Sequence, residues 1–208
     1  VIVTALADPP PRLGFIDRCL VAAYDAGVRP IVCLTKSDLA PADEIMSSLE
    51  PLDVDVVVTQ RGGDLSELEV LLRDQASVFV GHSGVGKSTL VNALNPLAGR
   101  ATSHVNEVTG RGRHTSTSAV SFSLGQGGRI IDTPGVRSFG LAHVDTDKII
   151  SAFPDLAEVV HACSRGCQHT STEPECALDD TEFNSDLRPE RIASFRRILD
   201  SRSATDSW

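Results

Sequence analysis

Gly81-His82-Ser83-Gly84-Val85-Gly86-Lys87-Ser88, with Thr89 after it, follows the pattern G-x-x-x-x-G-K-[ST]. Glycines at this spacing let backbone N–H groups converge on phosphate oxygens, and the start of the following helix adds partial positive charge. Lys87 is placed to reach the β- and γ-phosphates of a nucleotide, and Ser88 to set its hydroxyl on Mg²⁺. The apolar run Val78-Phe79-Val80 before the loop and the amphipathic stretch Ser88 to Leu94 after it supply the strand–loop–helix setting. Further on, Asp132-Thr133-Pro134-Gly135 follows the apolar Ile130-Ile131 and has the form D-x-x-G. There the aspartate holds Mg²⁺, usually through water, and the N–H of Gly135 meets the γ-phosphate. Four such residues alone are equally a turn at a strand end. Downstream of a phosphate loop they become the second half of one site.

Thr35-Lys36-Ser37-Asp38 closes the apolar run Ile31 to Leu34 and resembles the base-reading pattern [NT]-K-x-D. The Asp38 carboxylate can accept two hydrogen bonds from the N1–H and 2-amino group of guanine. Adenine offers no such pair of donors, and a buried carboxylate left without them discriminates by roughly four orders of magnitude. Lys36 is expected to lie over the base and brace the phosphate loop. Thr35 stands where Asn is commoner, which weakens one tie to the base. The strand-like Val56 to Thr59 leads into Gln60-Arg61, at the spacing of a segment backing the base.

A second chemistry sits near the C-terminus. Cys163, Cys167, His169 and Cys176 offer three thiolates and one imidazole, the donor set of a closed structural zinc site. Clustered cysteines without an oxidising context favour metal over a disulfide, with free thiols as the alternative. His161 falls outside the pattern. Cys19 and Cys33 read as small core residues.

Strand-like runs at 1–6, 31–35, 55–59, 77–80, 119–124 and 129–131 alternate with helical stretches at 12–26, 42–49, 64–73 and 87–94. This is the pattern of a mainly parallel sheet flanked by helices, an α/β fold. The segment 95–117 has little apolar periodicity and predicts a long loop, functional or mobile. After Gly140 strand signals vanish, and 145–153, 156–162 and 189–199 read as helices. The expected division is an α/β domain over 1–142 and a small helical, zinc-binding domain over 143–208.

The chain is 41% hydrophobic and 23% charged, ordinary for a soluble domain, and its apolar runs are too short to span a bilayer. Its formal charge of -9 opposes broad, nonspecific nucleic-acid binding. Arg111 and Arg113, and the cluster Arg188, Arg191, Arg196, Arg197 and Arg202, could still meet phosphate locally or form a solvated helix face. The sequence opens on Val1, and Val1 to Leu6 reads as a strand entered from upstream.

The base motif precedes the phosphate loop and D-x-x-G, a circular permutation of the usual order in small GTPases. In this order the sequence resembles the RsgA family, also called YjeQ or YloQ, of ribosome small-subunit-dependent GTPases. The resemblance rests on Leu34 to Leu39, Gly81 to Asn92, Gly110 to Thr115, Asp132 to Leu141 and the Cys/His cluster, and extends over nearly the whole chain. It implies a circularly permuted P-loop GTPase fold that uses GTP/GDP, Mg²⁺ and one structural Zn²⁺. It further implies a cytoplasmic assembly factor acting on the small ribosomal subunit and its rRNA, with no membrane partner, and a monomer is expected. The family's N-terminal OB-fold is expected to be missing here. Gly110 to Thr117 resembles the family's first switch, in which Thr115 and Thr117 are both candidates to close over Mg²⁺. His114 is a candidate to orient water, because Val136 stands where many GTPases carry a glutamine. A nucleotide-dependent binding module with negligible hydrolysis is the alternative that Val136 encourages. An ATP-using kinase is a third, opposed by Asp38.

Overall fold

In a computed structural model of the chain, the described residues are 1–95, 120–125, 127–132, 141, 144–180 and 187–202. Among the residues singled out above, His114, Thr115, Thr117, Gly135, Val136 and most of the predicted long loop lie outside them. The described residues fall into two compact units.

In the first unit, β1 (Ile2–Ala5) and β2 (Ile31–Thr35) are buried at every position. Such continuous burial marks parallel strands covered on both faces. Strand β2 lies between β1 and β3 (Asp55–Val58), all parallel, with Ala5 opposite Thr35 and Leu34 opposite Val58. Strand β4 (Ala76–Phe79) pairs in parallel with β6 (Arg129–Asp132), and β5 (Val120–Ser123) runs antiparallel along the other edge of β6. An Ile2–Val80 bridge joins the two three-stranded sheets. Val3 N–H donates to the Val80 carbonyl at 2.7 Å, and Val80 N–H donates to Val1 at 2.9 Å. The strand order is therefore β3-β2-β1-β4-β6-β5.

Helices α3 (Ser66–Leu72) and α4 (Lys87–Leu94) cover one face of this sheet. Leu68, Leu72, Leu90, Val91 and Leu94 pack there against Val3, Ala5, Cys33, Val57, Phe79 and Ile130. The strand residues in this cluster alternate, as a pleated strand requires. The same packing fixes α4, and so the direction in which its first turn points.

The second unit contains α1 (Leu13–Asp25), most of α2 (Asp43–Leu49) and a 3₁₀ turn at Glu50–Leu52. These precede residue 142 in sequence, yet they group with α5 (Thr146–Ile150), α6 (Pro154–Val160) and α7 (Pro189–Ser201). Helices α1 and α7 pack together. Arg197 Nε donates to Asp17 Oδ2 at 3.0 Å and Arg18 Nη1 to the Ser201 carbonyl at 3.4 Å. The Arg191 guanidinium forks onto Asp155 at 2.6 and 2.9 Å, donates to the Pro51 carbonyl at 2.7 Å and stacks 5.1 Å from the Phe153 ring centroid. Phe153 in turn meets Phe195 and Tyr24 edge-on.

The helix expected over 145–153 stops at Ile150, with Asp145 as its cap accepting from Asp147 N–H at 3.1 Å. The helix expected from Leu156 begins two residues earlier, because Pro154 suits the first helical position, where no N–H is needed.

Candidate functional site

The glycine loop leaves the sheet where β4 passes β1. An added Cβ at Gly81 would lie 2.5 Å from the Val3 carbonyl oxygen, so only glycine lets the two backbones approach this closely. Val85 turns inward and is 2% exposed, packed within the same core as Val3 and Leu90. That one apolar side chain pins the loop from below. Gly86 caps α4 at φ +91, a conformation that penalises any residue with a Cβ, and its carbonyl accepts from Leu90 N–H at 2.9 Å. Lys87 opens the helix, and Ser88 and Thr89 stand exposed in its first turn. His82 is half-buried, while Ser83 and Gly84 are exposed. The result is a loop rooted at both ends, with its crest open to solvent at a helix N-terminus.

Asp132 is the last residue of β6 and is level with Phe79 across the parallel pair. Both strands therefore end on the same side of the sheet, and the D-x-x-G motif starts beside the glycine loop. Gly135 lies beyond the described residues.

The base motif emerges on the same side. Thr35, the last residue of β2, is 6% exposed, and its hydroxyl donates to the Val85 carbonyl at 2.6 Å. Thr35 thus braces the phosphate loop from the end of β2. Lys36 adopts φ +61 and its ammonium donates to the Asp8 carbonyl, in the loop after β1. Ser37 N–H donates to Thr59 O at 3.2 Å, and Thr59 N–H donates to Leu34 O at 2.8 Å, so the loops after β2 and β3 are stitched together. Asp38 is exposed at the end of this loop. Val3, Asp8 and Val85 carry no motif signal. Their roles arise from carbonyls and methyls brought close by the fold, and only the apolar residue inside an otherwise polar loop hinted at one of them.

In the second unit the four expected metal ligands converge. The Sγ atoms of Cys163, Cys167 and Cys176 and a ring nitrogen of His169 all lie within 4.8 Å of one another. His169 Nδ1 is 3.6, 3.3 and 3.8 Å from Cys163, Cys167 and Cys176 in turn, and Cys163 and Cys176 are 4.0 Å apart. Bonds of ~2.3 Å to sulfur and ~2.0 Å to nitrogen at tetrahedral angles put ligand atoms about 3.5–3.8 Å apart, so the donor set fits one zinc ion. Burial, followed by the neighbouring thiols of Cys176 and Cys163, pushes Cys167 up to about 12. A cation at the centre supplies the charge that would let such thiols ionise.

Apart from the exposed Arg188, the C-terminal arginines form neither a solvated face nor a free basic patch. Arg191, Arg196, Arg197 and Arg202 hold Asp155, Asp179, Asp17 and the Val144 carbonyl respectively, and Arg188 meets Glu50 at 3.2 Å. These side chains tie the unit together. Arg111 and Arg113 lie outside the described residues.

Sheet order, glycine loop and the early position of the base motif define a circularly permuted P-loop GTPase fold. A model of the RsgA GTPase family matches residues 1–142, and the chain belongs to that family. It is 37% identical to a Pseudomonas aeruginosa protein named small ribosomal subunit biogenesis GTPase RsgA, over 99% of this chain and 63% of that protein. It is 38% identical to the Azotobacter vinelandii protein of the same name, over 97% of this chain and 61% of the relative. The chain thus spans less than two thirds of the length of these relatives. Among solved structures it resembles YloQ, described as a circularly permuted GTPase (TM-score 0.67, 27% identity, 97% of this chain and 67% of that one). It also resembles YjeQ from Thermotoga maritima in fold (TM-score 0.68, 23% identity, 99% and 71%).

Proposed function

We propose that this chain binds guanine nucleotide and hydrolyses GTP to GDP and phosphate, as a cytoplasmic assembly factor for the small ribosomal subunit. The observation carrying this reading is the hydrogen bond from Thr35 to Val85, which joins a guanine-type motif to a phosphate loop at the C-terminal ends of the two strands flanking β1. The names of the relatives supply the ribosomal side. The loop N–H groups from Gly81 to Thr89 cradle the phosphates, Lys87 offsets their charge and Asp38 reads the base. Ser88 and Asp132 would hold Mg²⁺, which would neutralise charge on the β- and γ-oxygens when bound. Thr115 or Thr117 closes over that site, Gly135 reports the γ-phosphate, and His114 orients water where Val136 has no polar group to do so.

In this reading residues 1–142 form the GTPase domain and residues 143–208 a helical domain built around one structural zinc ion, and the chain acts as a monomer. Ribosomal RNA stimulates turnover. Because Arg191, Arg196 and Arg197 are engaged internally, contact with RNA falls to other groups. Val136 favours a second reading, a nucleotide-dependent binding module with negligible hydrolysis. Competition between GDP and ADP for the site tests the nucleotide assignment. GDP is expected to win by several orders of magnitude, and parity between the two would refute it.

A further inference from the structure

The ligand-bearing stretch 163–176 has no helix or strand of its own, so something outside it must fix the spacing of its donors. Two of its legs sit at left-handed backbone, His169 itself and Glu175 (φ +58), the residue before Cys176. His169 is buried, yet it adopts φ +57, a left-handed backbone that costs roughly 1–2 kcal/mol in a residue with a Cβ. Cys176 leads directly into a 3₁₀ turn at Ala177–Asp179, where Asp179 N–H donates to the Cys176 carbonyl at 2.9 Å. Cys163 accepts from Ala177 N–H at 3.3 Å, a tie across the loop between its first and last ligands.

One side chain reaches the His169 leg directly and the Cys176 leg through the turn that follows it. Arg196, on α7, donates from Nε to the His169 carbonyl at 3.2 Å. Its Nη1 and Nη2 donate to Asp179 Oδ1 and Oδ2, both at 2.7 Å, a two-pronged fork. The Arg196 side chain is only 14% exposed, so this geometry is held by packing as well as by charge. A planar guanidinium can make all three bonds at once, whereas a lysine ammonium cannot reproduce the fork.

We propose that Arg196 is a positioning residue for the metal centre, fixing the His169 and Cys176 legs to α7 and thereby setting how fast the ion exchanges. This rests on reading the cluster as a zinc site. Groups that orient metal ligands from the next layer typically change metal affinity by about 10- to 100-fold when removed. The ion and helix α7 are then linked: neighbouring Arg197 holds Asp17 of α1 and the Ser48 carbonyl, so one turn of α7 joins the metal loop to the helical core.

The test uses the zinc-loaded full chain with Arg196→Met, Arg196→Lys and Asp179→Asn. Zinc release to a chromogenic chelator is timed, and the ligand-field spectrum of the Co²⁺-substituted protein is recorded for each variant. Arg196→Met is expected to release zinc about 10- to 100-fold faster, Arg196→Lys to stay close to that loss, and Asp179→Asn to fall between. The cobalt bands are expected to shift in the same order. Asp179→Asn keeps the arginine and decides the matter if Arg196→Met does not fold. Wild-type release rates and cobalt spectra in the variants, even with lowered unfolding midpoints, would overturn the proposal and leave the zinc reading intact. Failure of the wild-type chain to take up either metal would overturn both.

Discussion

Replacing Thr35 by valine removes one hydroxyl and keeps the shape of the side chain. In the native site that hydroxyl donates to the Val85 carbonyl at 2.6 Å in a spot 6% exposed, so water cannot easily replace it. A neutral hydrogen bond contributes about 1 kcal/mol net, and a buried carbonyl left without its donor costs about 1–3 kcal/mol. Part of this loss lowers stability whether or not ligand is bound. The part that frees the phosphate loop from its bound conformation, about 1–2 kcal/mol, raises the Kd for GDP about 5- to 30-fold. The preference for GDP over ADP should not change, because Asp38 provides it. Thr35→Ser keeps the hydroxyl and should bind nearly as wild type. Titration of a fluorescent GDP analogue against the three proteins, with ADP competition, reads both quantities. If Thr35→Val binds GDP as tightly as wild type, the bond does not organise the loop.

Gly81→Ala drives a Cβ to 2.5 Å from the Val3 backbone oxygen, which has no flexible end to yield. It should cost about 1–3 kcal/mol or more of stability, seen as a lowered denaturant midpoint, and should abolish nucleotide binding. Stripping zinc with a strong chelator should lower the thermal midpoint. A site a thousandfold above its Kd contributes about 4 kcal/mol, and an unmoved calorimetric peak would contradict a structural ion. The Arg191 guanidinium holds the Asp155 carboxyl below its ordinary value of 3.8. A carboxylate depressed on folding contributes stability that is complete above its unfolded value. The stability gap between wild type and Asp155→Asn should therefore be constant above about pH 5 and shrink as pH falls further. A gap that persists unchanged at pH 2 by urea denaturation would refute the pairing.

Elements with strong periodicity were legible in the sequence to within a residue or two. Strands β1 and β2 and helices α1 and α4 sit where the apolar runs of 1–6, 31–35, 12–26 and 87–94 place them. The four zinc-type donors also converge as their spacing suggested. Pairing of distant strands was not legible, because the Ile2–Val80 bridge depends on chain path and leaves no local pattern. Thr35 illustrates the same limit at the site. Its type speaks only to the base contact, and nothing local tells that the fold brings its hydroxyl to a carbonyl fifty residues away. The arginines of α7 read as a candidate phosphate patch because sequence shows their charge and conceals the carboxylates that meet them.

GTP hydrolysis measured with and without small ribosomal subunits, for the native chain, Lys87→Ala and Asp38→Asn, separates a subunit-activated GTPase from a nucleotide-dependent binding module. Subunit-stimulated turnover is expected in the native chain and is lost in Lys87→Ala. In Asp38→Asn the preference moves from GTP to XTP, since an amide complements the xanthine edge. Turnover that survives Lys87→Ala, with Asp38→Asn still favouring GTP, would contradict the GTPase reading.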